Sequence, residues 1–271
     1  MHVRLALPLA VIVLVAAGCG RGSAGANDLE EPLLVAAAAD LRPAFEEIGA
    51  AFEAETGHRV LFSFGSSGQL AQQVIEGAPM DLFASADVAL VERVLAAGVG
   101  DPESQATYAY GRIVIWSGST RWGGWSDLGD LAADGAIRNV AIANPEHAPY
   151  GRAAREALES VGAWDGIQPK LVYGENVADT QRLAATGNAD VAIIALSLAR
   201  ASDESGDGEW TLVDDGLHAP LQQELLVVAS DPERAKVAAR FADQVNGDGG
   251  REVMRRFGFL LPGEASPPEA G

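Results

Sequence analysis

The stretch Asn-Pro-Glu-His-Ala-Pro-Tyr-Gly at residues 144–151 predicts a corner between a buried strand and a helix. An apolar run at 140–143 precedes it, and apolar residues at helical spacing follow it over 152–161. Two prolines stiffen the corner, whereas Tyr150 and Gly151 keep their backbone N–H groups where the helix begins. Because these first-turn amides lie at the positive end of the helix dipole, the corner is suited to bind an anion.

Three further corners follow the same plan. Each has small or neutral residues at the end of a predicted strand, just before a predicted helix, and they lie at Ala39-Asp40, Ser66-Ser67-Gly68 and Asn176-Val177. The carboxyl ends of strands in open α/β sheets face one crevice, so we expect the four corners to converge there. No Lys or Arg occurs in any of the four. The pattern therefore predicts an oxyanion held by hydrogen bonds and dipoles, without ion pairs.

The alternation of strands and helices along the chain predicts an α/β fold with doubly wound parallel sheets. A chain of 271 residues is long enough for two hydrophobic cores. We expect one lobe from residues 33–110 together with 221–262, a second lobe from 111–220, and a cleft between them. A crossing strand at 108–116 is predicted to lead into the second lobe. The polar, glycine-rich segment 202–209 predicts a surface loop, and 263–271 predicts a disordered tail.

The first 18 residues have the pattern of a signal peptide, with Arg4 before an apolar run and small residues before Cys19. Cys19 is the only cysteine of the chain, and its position after the small residues is typical of a bacterial lipoprotein. We therefore predict that Cys19 is lipidated, that residues 19–32 form a flexible tether, and that the protein is extracytoplasmic. The alternative is an ordinary secretory peptide that is cleaved nearby.

The formal net charge of −19 makes a nucleic-acid partner or an anionic membrane surface unfavourable. The same charge opposes long-range attraction of an anionic ligand. Local dipoles in a desolvated cleft must therefore provide the attraction.

The side chains at the corners also have structural interpretations. Asp40 is a preferred helix N-cap residue, and capping is the role that we favour for it, because a carboxylate aimed at an anion is repulsive. Ser67 is equally suited to capping and to ligand binding. The ring of Tyr150 can pack in the core, which favours its N–H as the contact, and Val177 offers only its backbone.

Several motifs in fixed order resemble the periplasmic molybdate-binding proteins of ABC transporters. The motifs are LLVAAAADL at 33–41, FSFGSSGQL at 62–70, GAPMDLFASAD at 77–87, YAYGRIVIWS at 108–117, IANPEHAPYGRA at 142–153 and the segment 174–197. The resemblance runs from about residue 33 to 262. It implies a type II periplasmic-binding-protein fold and a molybdate or tungstate ligand between two lobes. It also implies that the protein has no cofactor and no further metal, is a monomer, and works with an ABC permease and its ATPase.

Carried over by position, the ligand contacts of the family lie at Ala39, Asp40, Ser67, Tyr150 and Val177. The chain departs from the family pattern at two of its donors. The first corner often carries serine, threonine or asparagine where this chain has Ala39-Asp40, and a tyrosine that some relatives use is Ala195 here.

Two other functions remain open at this point. Sulfate and phosphate are also tetrahedral oxyanions, and Asp40 would suit a protonated phosphate because its carboxylate accepts a hydrogen bond. The competing class is a serine hydrolase with Ser67, His147 and Asp40 as nucleophile, base and orienting acid. The sequence around Ser67 is not the G-x-S-x-G elbow of such enzymes, so we predict a binding protein and no enzyme.

Overall fold

The computed structural model describes residues 31–119, 121–206 and 208–263. The predicted signal peptide, Cys19, the tether up to residue 30 and the tail from residue 264 lie outside the described residues.

The first sheet contains the predicted strands of the N-terminal part of the chain and one strand that returns from further along. Its five strands, in spatial order, are β2 (Val60–Gly65), β1 (Leu33–Ala38), β3 (Leu82–Ser85), β10 (Leu221–Val227) and β4 (Ala106–Gly111). Strand β1 is parallel to β2 and β3, whereas β10 is antiparallel to β3 and β4.

The second sheet has the same kind of arrangement. Its five strands, in spatial order, are β7 (Leu171–Gly174), β6 (Val140–Ala143), β8 (Val191–Ala195), β5 (Ile113–Ser117) and β9 (Glu209–Leu212). Strand β6 is parallel to β7 and β8, and β5 is antiparallel to β8 and β9.

The α/β architecture is confirmed, but each sheet is mixed where the sequence predicted parallel strands. The exceptions are β5 and β10, the two strands by which the chain enters one lobe from the other. Such a strand starts on the side of the sheet where the parallel strands have their carboxyl ends, so it runs antiparallel to them. The predicted crossing strand at 108–116 is accordingly two strands, β4 and β5, which belong to different sheets and are separated by Arg112.

Helices flank both sheets. Within the described residues they are α1 (Arg42–Thr56), α2 (Ser67–Ile75), α3 (Val88–Ala96), α4 (Leu128–Ala133), α5 (Pro149–Ser160), α6 (Trp164–Ile167), α7 (Val177–Ala185), α8 (Leu196–Ser205), α9 (Pro232–Asn246) and α10 (Asp248–Arg256). None of these helices has the length and apolar character needed to cross a bilayer.

Helix α1 shows how the core holds the first corner in place. Phe45, Ile48 and Phe52 lie on its buried face, as their spacing predicts. Phe52 packs edge-on against Phe241 of α9, with 5.3 Å between ring centroids. Burial of such a ring stabilises the fold by about 1.5–3 kcal/mol. Gly57 ends the helix in the left-handed region at φ 80°, a conformation that costs glycine little.

The predicted loop at 202–209 is wrong over its first four residues, because α8 continues to Ser205 before Gly206 ends it at φ 74°. Helix α8 follows β8 without an intervening turn. Its apolar residues Leu196 and Leu198 therefore extend the apolar run of the strand and hide the start of the helix. Only the last residue of the predicted loop, Glu209, belongs to β9.

Candidate anion-binding site

All four predicted corners line one small cavity at the carboxyl ends of the parallel strands. The five residues predicted as ligand contacts all belong to its wall, and they are Ala39, Asp40, Ser67, Tyr150 and Val177. Their convergence follows from the geometry of the two sheets. Their contact with a ligand stays a prediction.

The fourth corner is built by a local helix cap. Asn176 Oδ1 accepts hydrogen bonds from the backbone N–H groups of Ala178 and Asp179, both at 3.0 Å. Val177 is the first residue of α7, and its N–H has no acceptor within the helix. The cap therefore uses the second and third amides and leaves the first, that of Val177, without a bond to Asn176.

The second corner contains two serines with different roles. Ser66 Oγ donates to the carbonyl oxygen of His147 at 2.6 Å and lies 2.9 Å from His147 Nδ1, so this serine joins the two lobes. Ser67 Oγ accepts from the N–H of Ala86 at 3.1 Å. Ser67 is therefore no helix cap, in contrast to one of the two roles that the sequence suggested. Because its oxygen accepts from Ala86, its hydrogen is left to donate.

The third corner requires a glycine and buries a tyrosine. A Cβ on Gly151 would lie 2.0 Å from the carbonyl oxygen of Ala143, so only glycine fits between β6 and α5. The ring of Tyr150 is buried, and its hydroxyl donates to Asp40 Oδ2 at 2.9 Å. The hydroxyl is thus engaged inside the protein, and the N–H of Tyr150 stays the predicted contact.

Asp40 at the first corner does not cap a helix, and the favoured interpretation of its side chain was wrong. The residue lies within a short 3-10 turn, Ala39–Leu41, and neither this turn nor α1 has a side-chain cap. Asp40 Oδ2 instead accepts hydrogen bonds from Tyr150 and from Gln223 Nε2, the latter at 2.8 Å. Asp40 Oδ1 has no hydrogen-bond partner within the described part of the chain.

Burial dominates the electrostatics of this carboxyl group. Desolvation raises the pKa of Asp40 to about 6, although the hydrogen bonds from Gln223 and Tyr150 act in the opposite direction. The pKa of Tyr150 is raised well above its ordinary value, first by burial and then by the negative charge of Asp40. Tyr150 is therefore neutral and a permanent donor.

Gln223 on β10 is the functional candidate that the sequence analysis missed. It is fully buried, and its Oε1 accepts a hydrogen bond from the Tyr108 hydroxyl at 2.8 Å. One signal could have revealed it. Gln223 is two residues from Leu221 and therefore lies on the same inward face of the strand, where a polar side chain needs a buried partner.

Several contacts hold the lobes together around the cavity. The N–H of Gly68 donates to the carbonyl oxygen of His147 at 3.0 Å, and a Cβ at Gly68 would lie 2.5 Å from that oxygen. Arg152 forms an ion pair with Asp87. The structure therefore represents a closed cleft.

The hydrolase arrangement is not assembled. Ser67 is bonded to Ala86, His147 to Ser66, and Asp40 to Tyr150 and Gln223. No described Lys or Arg lines the cavity, and the described residues contain no cluster of three or more metal-ligating His, Cys, Asp or Glu.

A model of the family described as bacterial extracellular solute-binding protein matches residues 33–260. The chain belongs to this family. The solute-binding protein is 34% identical over 233 residues to the molybdate-binding protein ModA of Rhodobacter capsulatus, which covers 84% of this chain and 88% of the relative. It is 32% identical to ModA of Azotobacter vinelandii, over 92% of this chain and 97% of the relative.

The solved structure of the periplasmic molybdate-binding protein of Azotobacter vinelandii superimposes on this solute-binding protein with a TM-score of 0.78. The match has 30% sequence identity and covers 85% of this chain and 99% of that one. The two-lobed periplasmic-binding-protein fold that the sequence predicted is thereby confirmed. The protein is an extracytoplasmic binding protein and no enzyme.

Proposed function

We propose that this solute-binding protein captures molybdate, or the isosteric tungstate, in the cavity between its lobes. The observation that carries the proposal is the convergence of four helix-initiating corners on one cavity with no described Lys or Arg in its wall. The relatives that bear the name molybdate-binding protein support the choice of anion. Molybdenum or tungsten enters only as part of the ligand, and the protein uses no resident cofactor.

The binding energy comes from hydrogen bonds to the dianion. The N–H groups of Ala39, Ser67, Tyr150 and Val177 and the Ser67 hydroxyl are the donors. Each bond to a charged partner contributes about 1.5–3 kcal/mol net. The four amide donors alone supply about 6–12 kcal/mol, the range from tens of micromolar to nanomolar dissociation constants. This local contribution is sufficient even though the net charge of −19 repels the ligand at long range.

The same proposal includes delivery and anchoring. The closed protein presents its ligand to an ABC permease driven by an ATPase, and it acts as a monomer that is tethered to the membrane through lipidated Cys19. Cys19→Ala is expected to release the protein into the soluble fraction, whereas unchanged membrane association would contradict lipid anchoring.

Phosphate is a second candidate ligand because Asp40 has a carboxyl oxygen that could accept a hydrogen bond from it. Asp40 Oδ1 is buried without a partner among the described residues, and an ionised carboxylate there would accept a hydrogen bond from a protonated phosphate. Sulfate has no such proton and depends on cavity size alone.

Calorimetric titration with molybdate, tungstate, sulfate and phosphate at pH 7 tests the proposal. We expect molybdate and tungstate to bind at least about a hundredfold more tightly than sulfate, a difference of about 2.7 kcal/mol. Phosphate binding that exceeds molybdate binding would replace the proposed ligand.

A further inference from the structure

The two oxygens of the Asp40 carboxyl group have different surroundings. Oδ2 accepts hydrogen bonds from the Tyr150 hydroxyl at 2.9 Å and from Gln223 Nε2 at 2.8 Å. Oδ1 is buried without a hydrogen-bond partner within the described ranges, although Asp40 belongs to the cavity wall. A buried polar atom without a partner is uncommon and costly, which suggests that Oδ1 has a partner in the ligand-bound protein.

The two side-chain hydrogen bonds that reach the carboxyl group both end on Oδ2. Gln223 Nε2 donates to Asp40 Oδ2 and to the Tyr150 hydroxyl oxygen, the latter at 3.1 Å, while Gln223 Oε1 accepts from Tyr108. Tyr150 then has its own hydrogen for Asp40. A proton can therefore be added to Oδ1 without breaking any of these bonds.

We propose that Asp40 binds the oxyanion as a neutral carboxylic acid whose O–H on Oδ1 donates a hydrogen bond to the ligand, so that above about pH 6 the protein takes up one proton for each dianion that it captures. This inference rests on the proposed function at the same cavity. The proton comes from solvent, the O–H bond forms on Asp40, and no bond of the oxyanion breaks. The carboxylic acid thus replaces the serine, threonine or asparagine donor that this corner lacks.

The physical reason is the cost of two like charges in one desolvated cavity. An ionised Asp40 would repel a dianion, and this repulsion is strong where water is excluded. Burial already raises the pKa of Asp40 to about 6 in the absence of ligand, and a neighbouring dianion raises it further. A neutral carboxyl group changes the repulsion into a hydrogen bond.

Within the described ranges, no cation acts on Asp40 to keep it ionised. Tyr150 from α5 and Tyr108 from β4 are the titratable groups that act on it directly, and both are neutral because their pKa values are raised. The other described charged side chains on the elements packed against this corner pair with other groups, stack on rings or are exposed towards the end of α1. The paired or stacked ones are Arg42, Glu46 and Glu47 on α1, Arg152, Arg155, Glu156 and Glu159 on α5, Asp179 and Arg182 on α7, Arg200 and Asp203 on α8, and Glu224 on β10, and the exposed ones are Glu53 and Glu55.

The proposal predicts a specific pH dependence for molybdate, which is a dianion throughout neutral pH. Below pH 6 Asp40 is largely protonated before binding, so affinity is nearly independent of pH. Above pH 6 the free protein must take up a proton, so the dissociation constant rises by up to about tenfold per pH unit until the pKa of the bound form is reached. The Asp40→Asn variant has a permanent amide donor and should bind equally well at pH 6 and pH 8.

Calorimetric titrations with molybdate at pH 6, 7 and 8, each in two buffers with different heats of ionisation, count the protons taken up. The wild type is expected to approach one proton per molybdate at pH 8, and Asp40→Asn to take up none. Asp40→Asn should also bind more tightly than the wild type at pH 8. The proton count of the wild type requires no variant, so it tests the proposal even if Asp40→Asn folds poorly.

Asp87→Asn is the matched control because Asp87 is also an acidic residue beside the cleft. Asp87 caps α3 through the N–H of Ala89, and asparagine retains that cap. This variant loses the ion pair with Arg152, which changes the affinity for molybdate, but it should keep the proton uptake of the wild type. Loss of uptake in Asp87→Asn but not in Asp40→Asn would overturn the assignment. Molybdate binding without proton uptake at any pH would overturn this inference and leave the proposed function intact. No molybdate binding at pH 6 would overturn both.

Discussion

The first and fourth corners of the cavity look alike in sequence but are built in different ways. At the fourth corner, Asn176 bonds the amides two and three residues further along, so the local sequence builds the helix start by itself. At the first corner, Asp40 could have done the same. Its carboxyl group instead accepts from Tyr150 and Gln223, which are 110 and 183 residues away in the chain.

The difference shows that a side chain suited to capping caps a helix only where no other buried donors compete for its oxygen atoms. For the side-chain oxygen of Asn176, no donor from a distant described segment competes with the nearby amides, so these amides bind it. Asp40 faces two buried donors that would lose their partner without it, and an unsatisfied buried polar group costs about 1–3 kcal/mol. The long-range bonds therefore outweigh the cap, whose contribution is about 1 kcal/mol.

The largest effect is expected from a substitution on β10 that removes a hydrogen bond to Asp40 at the first corner. Gln223→Leu removes a donor to Asp40 and the acceptor of Tyr108, two buried groups. We expect the free energy of unfolding at pH 7 to fall by about 2–6 kcal/mol, measured by denaturant titration. Gln222→Leu, on the other face of β10 and only half-buried, is the control and should cost less than about 1.5 kcal/mol. Equal losses in the two variants would show that the first corner does not depend on Gln223.

The next effect concerns the second corner, where a hydroxyl serves both the fold and the ligand. Ser67→Ala removes one donor to the anion, so the dissociation constant for molybdate should rise about ten- to hundredfold. Stability should fall by about 1–3 kcal/mol because the N–H of Ala86 loses its acceptor. Calorimetry and thermal unfolding separate the two effects. Ser63→Ala on β2, outside the cavity wall, should leave the affinity unchanged. A molybdate affinity in Ser67→Ala within about twofold of the wild type would place the site elsewhere.

The smallest effect is expected at the fourth corner, where substitution of Asn176 tests whether the start of α7 depends on a local cap alone. Asn176→Ala should lower the free energy of unfolding by about 1 kcal/mol, because the amides of Ala178 and Asp179 lose their cap. Asn176→Asp retains a capping oxygen and should keep the stability, while its negative charge beside the cavity weakens molybdate binding. Unfolding curves and titrations of both variants provide the measurement. A loss of stability in Asn176→Asp as large as in Asn176→Ala would contradict a purely local cap.

The course of most elements could be predicted because it depends on short-range patterns. The spacing of Phe45 and Phe52, with Gly57 after them, is enough to indicate α1 and its end. Helix α8 was missed for a local reason too, since Leu196 follows the apolar run of β8 without a turn residue. The mixed direction of the strands was missed because no local sequence pattern shows whether a strand runs parallel or antiparallel to its neighbours in the sheet.

The sequence by itself determined the four strand-to-helix corners, the absence of cationic residues from them, and the cap at Asn176, because each depends on residues within a few positions of one another. Only the tertiary structure decided the role of Asp40. Its donors Tyr150 and Gln223 belong to distant segments, and it is burial among them that raises its pKa and leaves Oδ1 without a partner among the described residues. Desolvation and long-range hydrogen bonds arise from packing, so the chain acquires them only when it folds.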